Sequence, residues 1–440
     1  MHGGDWISRR IPPPSTDSPG YRDDVAAPED PAVGRKRPLD TLEQVVRDPE
    51  VRADPHPTYH RIRAETPRLF FPDAGEWLFT RWDDCEAVLR DPRFSSNPTH
   101  RVTDVPLELR SPREQAAASG ELTTLLFLDP PDHTRIRSLV SKAFTPRTVE
   151  RLRPHIVDLC DAILEQAAER GGLDVVADLG YQLPVTVICE LMGVPLADRD
   201  RFGPWASAAS RLLDGDFLPE AELMAGMVAM MEFVQYFSDL FEVRRAEPGD
   251  DLVSALIAAE EEGDRLSESE LNSIVVLLFI AGHETTMNLI GNGMSALLHH
   301  RDQLDRLRQR PELIGSTIEE LLRYDGPVHL TGRTATADIR IGDAEISAGQ
   351  GVVTLLAAAN RDPERFESPD DLDIDRPDTR HLTFSHGIHY CLGAALARVE
   401  GQCAIGRLVE RFDRIELSEE PTYRDHFILR GLNALHVTVA

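Results

Sequence analysis

Phe384-Ser-His-Gly-Ile-His-Tyr-Cys-Leu-Gly393, running on into Ala394-Ala-Leu-Ala-Arg398, sets a lone cysteine in a turn-rich loop directly ahead of a helix-forming run. Gly387 and Gly393 allow turns closed to other residues and a close backbone approach to a flat ligand. A helix starting just beyond Cys391 aims its first peptide N–H groups at the sulfur, which favours the thiolate and would tune a metal bound there. Taken alone, a cysteine is more often a small buried hydrophobe, and Cys85, Cys160, Cys189 and Cys403 keep that reading. A zinc site built from His386, His389 and Cys391 has no fourth ligand at a usual spacing.

Outward from this loop, the 440 residues leave room for a large core and a buried cofactor. Forty-seven basic against seventy-five acidic residues give a net charge of -28, which repels phosphate backbones and anionic lipid and argues against nucleic acid as a partner. Five cysteines without CxxC spacing fit neither a disulfide framework nor a zinc ribbon and imply a reducing compartment. Residues 1–40 carry Pro12 to Pro14, Pro19, Pro28, Pro31 and Pro38 with no apolar leader, so we expect a flexible arm on a cytoplasmic protein, followed by one domain over 41–440. The apolar run 274–280 continues into His283, Glu284, Asn288 and Asn292, too polar for a membrane span.

The pattern predicts a hairpin over 69–80 and one long helix from the Thr145-Pro146 cap to Gly171. Ser267 with Glu270 forms a capping box opening a helix that reaches His299, roughly 45 Å long. Strands are expected near 334–341, 351–355 and 434–439, so the fold class is mostly α with small β-sheets.

Midway along the long helix lies Ala281-Gly-His-Glu-Thr-Thr286. Ala281 and Gly282 leave space against the helix, and the Thr285 hydroxyl can return to the carbonyl of Ala281, loosening the helix and admitting water. Close helix packing is the plainer meaning. A zinc protease motif fails because Met287 stands where the second histidine belongs. Glu320 and Arg323 share a helix face, a spacing that by itself usually means a surface ion pair.

Taken together these segments resemble the cytochrome P-450 family, from about Asp54 to the end of the chain. FSHGIHYCLG is similar to the family's haem-binding signature, with Phe384, Gly387, Cys391 and Gly393 at matching offsets, while Ser385 stands where glycine is commoner. The resemblance implies haem b between the long central helix and the cysteine-loop helix, with Cys391 as thiolate ligand to the iron. It implies that Glu284 and Thr285, beside Ala281 and Gly282, deliver protons for oxygen activation, and that losing either uncouples electron use from product formation. Glu320, Arg323 and Arg376 correspond to a structural network bracing the cysteine loop. His133, Arg137, Arg333 and His389 correspond to partners of the haem propionates; Arg135 and His386 do not match.

The same resemblance implies a monooxygenase that hydroxylates or epoxidises a lipophilic small molecule with O2. The wording is nearest to actinobacterial enzymes tailoring macrolides and polyketides, with steroids or terpenoids as the alternative. Peroxide-driven or oxidative-coupling chemistry and a non-catalytic haem sensor are the remaining readings. Expected pocket residues are Leu126, Phe127, Leu278, Ile280, Val328, His329, Leu330 and Ile428. Asp214 and Asp216, beside Leu212, Leu213 and Phe217, hint at an occasional polar anchor, although exposed loop acids are the commoner meaning. No flavin or iron-sulfur motif is present, so electrons come from an external ferredoxin and ferredoxin reductase. Ferredoxins are acidic, so docking one on a monomer of charge -28 calls for a local positive patch, for which Arg135, Lys142, Arg147, Arg398 and Arg407 are candidates.

Overall fold

The computed structural model describes residues 48–72, 74–102, 115, 118, 119, 124–261 and 264–440; the expected arm over 1–40 lies outside them. The longest helix, Glu268–His299, runs through the middle of the molecule. It begins where the sequence places it. The Ser267 hydroxyl accepts the Glu270 N–H, and the Glu270 carboxylate accepts the Ser267 N–H at 2.7 Å, so two end donors are satisfied reciprocally. Every residue from Met287 to Leu298 is buried, because the helices Gln182–Met192, Arg199–Arg211, Glu220–Ala246, Ile314–Asp325 and Ala394–Arg411 pack around it. Two segments, Val175–Met192 and Glu268–His299, are long and apolar enough to cross a membrane, but 67% of the apolar window of each is buried inside the protein. Their apolarity serves the core.

The single helix expected over 146–170 is two, Pro146–Glu150 and Arg153–Arg170. Thr145 caps the first by accepting the Thr148 N–H at 3.2 Å. The break falls just ahead of Pro154, which offers no N–H and whose ring opposes the carbonyl one turn earlier. Gly171, at φ 70°, ends the second helix in the left-handed region.

The hairpin forms as Arg68–Phe71 and Glu76–Phe79, with Leu69 opposite Leu78. These strands open a five-stranded sheet completed by Gly351–Thr354, parallel to the second hairpin strand, then Thr331–Ala335 and Phe94–Ser95. The strand expected over 334–341 divides: Thr331–Ala335 stays in this sheet, while Ile339–Ile341 leaves to pair with Ala344–Ile346 around Gly342. The C-terminal strand His436–Val439 lies between Ile415–Leu417 and Gly172–Asp174. One large apolar core surrounds the central helix, and two small ones lie under the five-stranded sheet.

Candidate active site

The cysteine loop closes on itself through the Cys391 N–H, which donates to the Phe384 carbonyl at 2.9 Å. Gly387 sits at φ 68°, and a Cβ there would run into the Leu89 carbonyl, so only glycine fits. Gly393 corrects the turn half of the expectation, since its φ of -83° is open to any residue; a Cβ there would meet no protein atom within 4 Å, which leaves the side toward a flat ligand clear. Ser385 takes φ 61°, which explains why glycine suits that position. Four of the five cysteines are buried, and Cys391 alone has an open face. The protein packed about its sulfur still pushes the thiol up, while the N–H groups of Gly393 and Ala394 and the charges of Arg137 and Arg398 pull it back toward the thiolate.

On the central helix, Ala281 is exposed and Gly282 partly so, although the helix on either side is largely buried. Thr285 donates its hydroxyl to the Ala281 carbonyl at 2.6 Å, the bond expected from the sequence. Glu284 is only 1% exposed and is paired at 2.5 Å with Arg424, a residue that sequence reasoning missed. Arg424 is itself held by the Leu432 carbonyl at 3.0 Å. The second Glu284 oxygen is buried without a partner among the described residues. Neighbouring His283 lies edge-on to Tyr181, its pKa lowered by burial to about 3.

The predicted lining residues divide. The turn Leu125–Phe127 lies against the central helix, leaving Leu126 exposed and Phe127 half-buried, and Leu278 and Ile280 are half-buried. The His329 N–H donates to the Ile428 carbonyl at 3.0 Å, which joins the 328–330 segment to the 427–429 segment; Val328, Leu330 and Ile428 are half-buried. His329 is a correction. Its ring turns the other way into a buried cluster, where Nδ1 meets the Tyr59 hydroxyl at 3.2 Å and His56 lies alongside. Asp214 is also a correction, being buried; Asp216 lies outside the residues whose side chains are described.

Glu320, Arg323 and Arg376 form one buried network. Arg323 donates twice to Glu320, at 2.7 and 2.8 Å, and to the carbonyls of Asn360, Pro369 and Asp371. Arg376 donates to both Glu320 oxygens at 3.1 Å and to the carbonyls of Glu367, Ser368 and Asp371. Isolated on a surface such a pair is worth little; here both side chains of the first pair are fully buried and the whole segment 367–373 hangs on them.

Whether the residues suit haem is decided by their polar groups. The rings of His133 and His389 lie 4.5 Å apart between centres, tilted by 55°, and both ring nitrogens of His133 and Nε2 of His389 are buried with no partner among the described residues. Arg333 is buried, with its pKa lowered to about 10 by that burial. Among the described residues it donates only to its own strand, at Thr331 and Gly332. Arg137 reaches the Tyr390 carbonyl beside the cysteine. No acidic side chain pairs with any of these four among the described residues. Asp129 acts on Arg333 and His133 from a distance without pairing with either, so buried and half-buried donors are left that match the two carboxylates of a porphyrin, and the residues fit the group.

A profile of the family described as Cytochrome P450 matches residues 110–432. The chain belongs to the cytochrome P450 family. It is 44% identical over 397 residues to the vitamin D(3) 25-hydroxylase of Pseudonocardia autotrophica, covering 88% of this chain and 94% of that one. It is 38% identical over 392 residues to the 6-deoxyerythronolide B hydroxylase of Saccharopolyspora erythraea, covering 86% and 95%. Among solved structures, ligand-free CYP164A2 of Mycobacterium smegmatis superposes with a TM-score of 0.83 at 40% identity, over 91% of this chain and all of that one. This P450 is therefore a haem-dependent monooxygenase, an oxidoreductase.

The positive patch expected for a redox partner is largely neutralised in this P450. Arg135 is tied to Glu270, Arg398 to Glu319 at 2.5 and 2.9 Å, and Arg407 to Asp161 and Glu410; Lys142 and Arg147 are exposed. Burial pushes Glu319 up, but His381 and Arg398 outweigh it and hold it near 2, so the acid opposing Arg398 is ionised at neutral pH.

Proposed function

We propose that this P450 binds haem b through Cys391 and hydroxylates or epoxidises a lipophilic secondary metabolite of the macrolide or polyketide class, with electrons from an external ferredoxin and its reductase. Haem bound there supplies reductive activation of O2 and oxidation of a substrate carbon. The observation that carries the reading is the open Ala281–Gly282 stretch with Thr285 bonded back to Ala281. His133, Arg137, Arg333 and His389 hold the cofactor's carboxylates, and Gly387 lets the loop come close. Thr285 holds a hydroxyl proton at Oγ1 beside the open stretch, and Glu284 supplies a carboxylate one residue away. Half-buried Leu278, Ile280, Val328, Leu330 and Ile428 give an apolar wall suited to a lipophilic substrate. The 6-deoxyerythronolide B hydroxylase relative supports the macrolide class, and the vitamin D(3) hydroxylase relative supports a secosteroid as the second reading. The protein acts as a cytoplasmic monomer.

The test is a spin-state titration over macrolactones and secosteroids, followed by product analysis with ferredoxin and reductase. Thr285→Ala is expected to keep substrate binding while the fraction of reducing equivalents appearing in product falls about tenfold or more, the scale of a lost proton-delivery group. Turnover independent of reductase, or coupling unchanged in Thr285→Ala, refutes this reading.

A further inference from the structure

We propose that Asp214 is a positioning residue that pins the pocket wall at Phe427 and Ile428 to the connection between two helices, so that bulky ligands reach or leave the haem side only when this tie opens. Asp214 lies in the turn Leu212–Phe217, between the helices Arg199–Arg211 and Glu220–Ala246. Its carboxylate is 4% exposed and gathers donors from two distant parts of the chain. Oδ1 accepts the N–H groups of Phe427 at 3.2 Å and Ile428 at 3.0 Å. Oδ2 accepts Arg211 Nη1 at 2.7 Å and stands 3.2 Å from His426 Nδ1. Arg211 also bonds the Asp425 carbonyl and, at 2.7 Å, Glu222 at the start of the next helix.

The two N–H groups belong to the segment whose Ile428 carbonyl binds the His329 N–H, so the position of Asp214 is transmitted to both lining segments. Beyond Leu212 against Gly226 and the ion pair of Arg52 with Asp425, this corner carries little buried apolar surface. In the first three turns of Glu220–Ala246 only Gly226 and Ala229 are buried, while Met224, Met227, Val228 and Met231 are exposed; Phe233, Phe237, Leu240 and Phe241 anchor the far half. A segment with so few buried apolar side chains opens at low cost, and a buried carboxylate with several donors is then the tie that sets that cost.

The inference rests on the proposed pocket, and a control separates the two. Haem-loaded protein is mixed with imidazole and with 4-phenylimidazole in a stopped-flow spectrometer, and the association and dissociation rates are read from the haem spectrum. Asp214→Ala is expected to speed release of 4-phenylimidazole about tenfold, equivalent to about 1.4 kcal/mol, while imidazole rates change less than about twofold. Asp214→Asn, which keeps an oxygen for the two N–H groups but loses the charge, is expected to fall between. Amide hydrogen exchange of Phe427 and Ile428 should rise in the same order, without loss of the thiolate-type carbonyl spectrum. Equal acceleration of both azoles, or none with exchange unchanged in both variants, overturns the latch. Ile428→Trp is the control: it should hinder 4-phenylimidazole selectively, and if it does not, the pocket reading fails and not the tie.

Discussion

Among the described residues, Glu400 is a buried carboxyl with no charged partner. It sits on the helix that follows the cysteine loop, is 2% exposed, and has the Thr286 hydroxyl as its hydrogen-bond partner. Burial raises its pKa from the usual 4.5 to about 8, so the native state keeps a proton that the unfolded chain gives up. Between these two values the unfolded state binds fewer protons than the native one, and stability must fall as pH rises. The difference is nil below 4.5 and complete above 8. One pKa unit is about 1.4 kcal/mol, and integrating the two titrations gives a loss of about 2 kcal/mol between about pH 6 and pH 8. The nearby thiols Cys160 and Cys403 are pushed up by burial and stay neutral there. Glu400→Gln keeps the shape and removes the titration. The assay is the difference in unfolding free energy, or in thermal midpoint at one scan rate, between haem-loaded wild type and Glu400→Gln across this range. The difference should move steadily in favour of the glutamine variant as pH rises; parallel curves refute the argument.

Ser385→Gly should stabilise the protein by about 1 kcal/mol in chemical denaturation, because it removes a left-handed non-glycine residue at φ 61°. Gly387→Ala should abolish haem retention, read as the ratio of haem to protein absorbance, since both its φ of 68° and the Leu89 carbonyl exclude a Cβ. Arg424→Leu should cost about 3 kcal/mol or more by leaving the Glu284 carboxylate buried without its counter-charge, and the double change Glu284→Gln with Arg424→Leu should recover most of it. Additive losses in that cycle would show that the pair is not coupled.

Legibility in the sequence followed the range of the interaction. The capping box of the central helix, the Thr285 bond to Ala281 and the 69–80 hairpin each depend on residues within a few positions of one another, and each formed as expected. The helix break before Pro154 is local too, but a continuous apolar stripe runs across it, so the hydrophobic period alone masks a missing N–H. Arg424 and Asp214 failed for another reason. Arg424 finds Glu284 across 140 residues and Asp214 finds Ile428 across 214, and no spacing rule connects a loop aspartate with backbone N–H groups that far away.

These long-range ties share a direction. Arg424, His426, Phe427, Ile428 and Arg430 come from one stretch near the C-terminus. From it Arg424 reaches Glu284 on the central helix, Phe427 and Ile428 reach Asp214 between two helices, and Arg430 reaches Asp325 at 2.6 Å, at the end of the helix that carries Glu320 and Arg323. The stretch has little regular structure of its own, since its backbone partners are isolated bridges such as Val328 with Leu429. Its shape is therefore set by charged side chains gripping three separate elements. One irregular stretch is thereby fastened to the central helix, to the connection between two helices and to the end of the helix Ile314–Asp325.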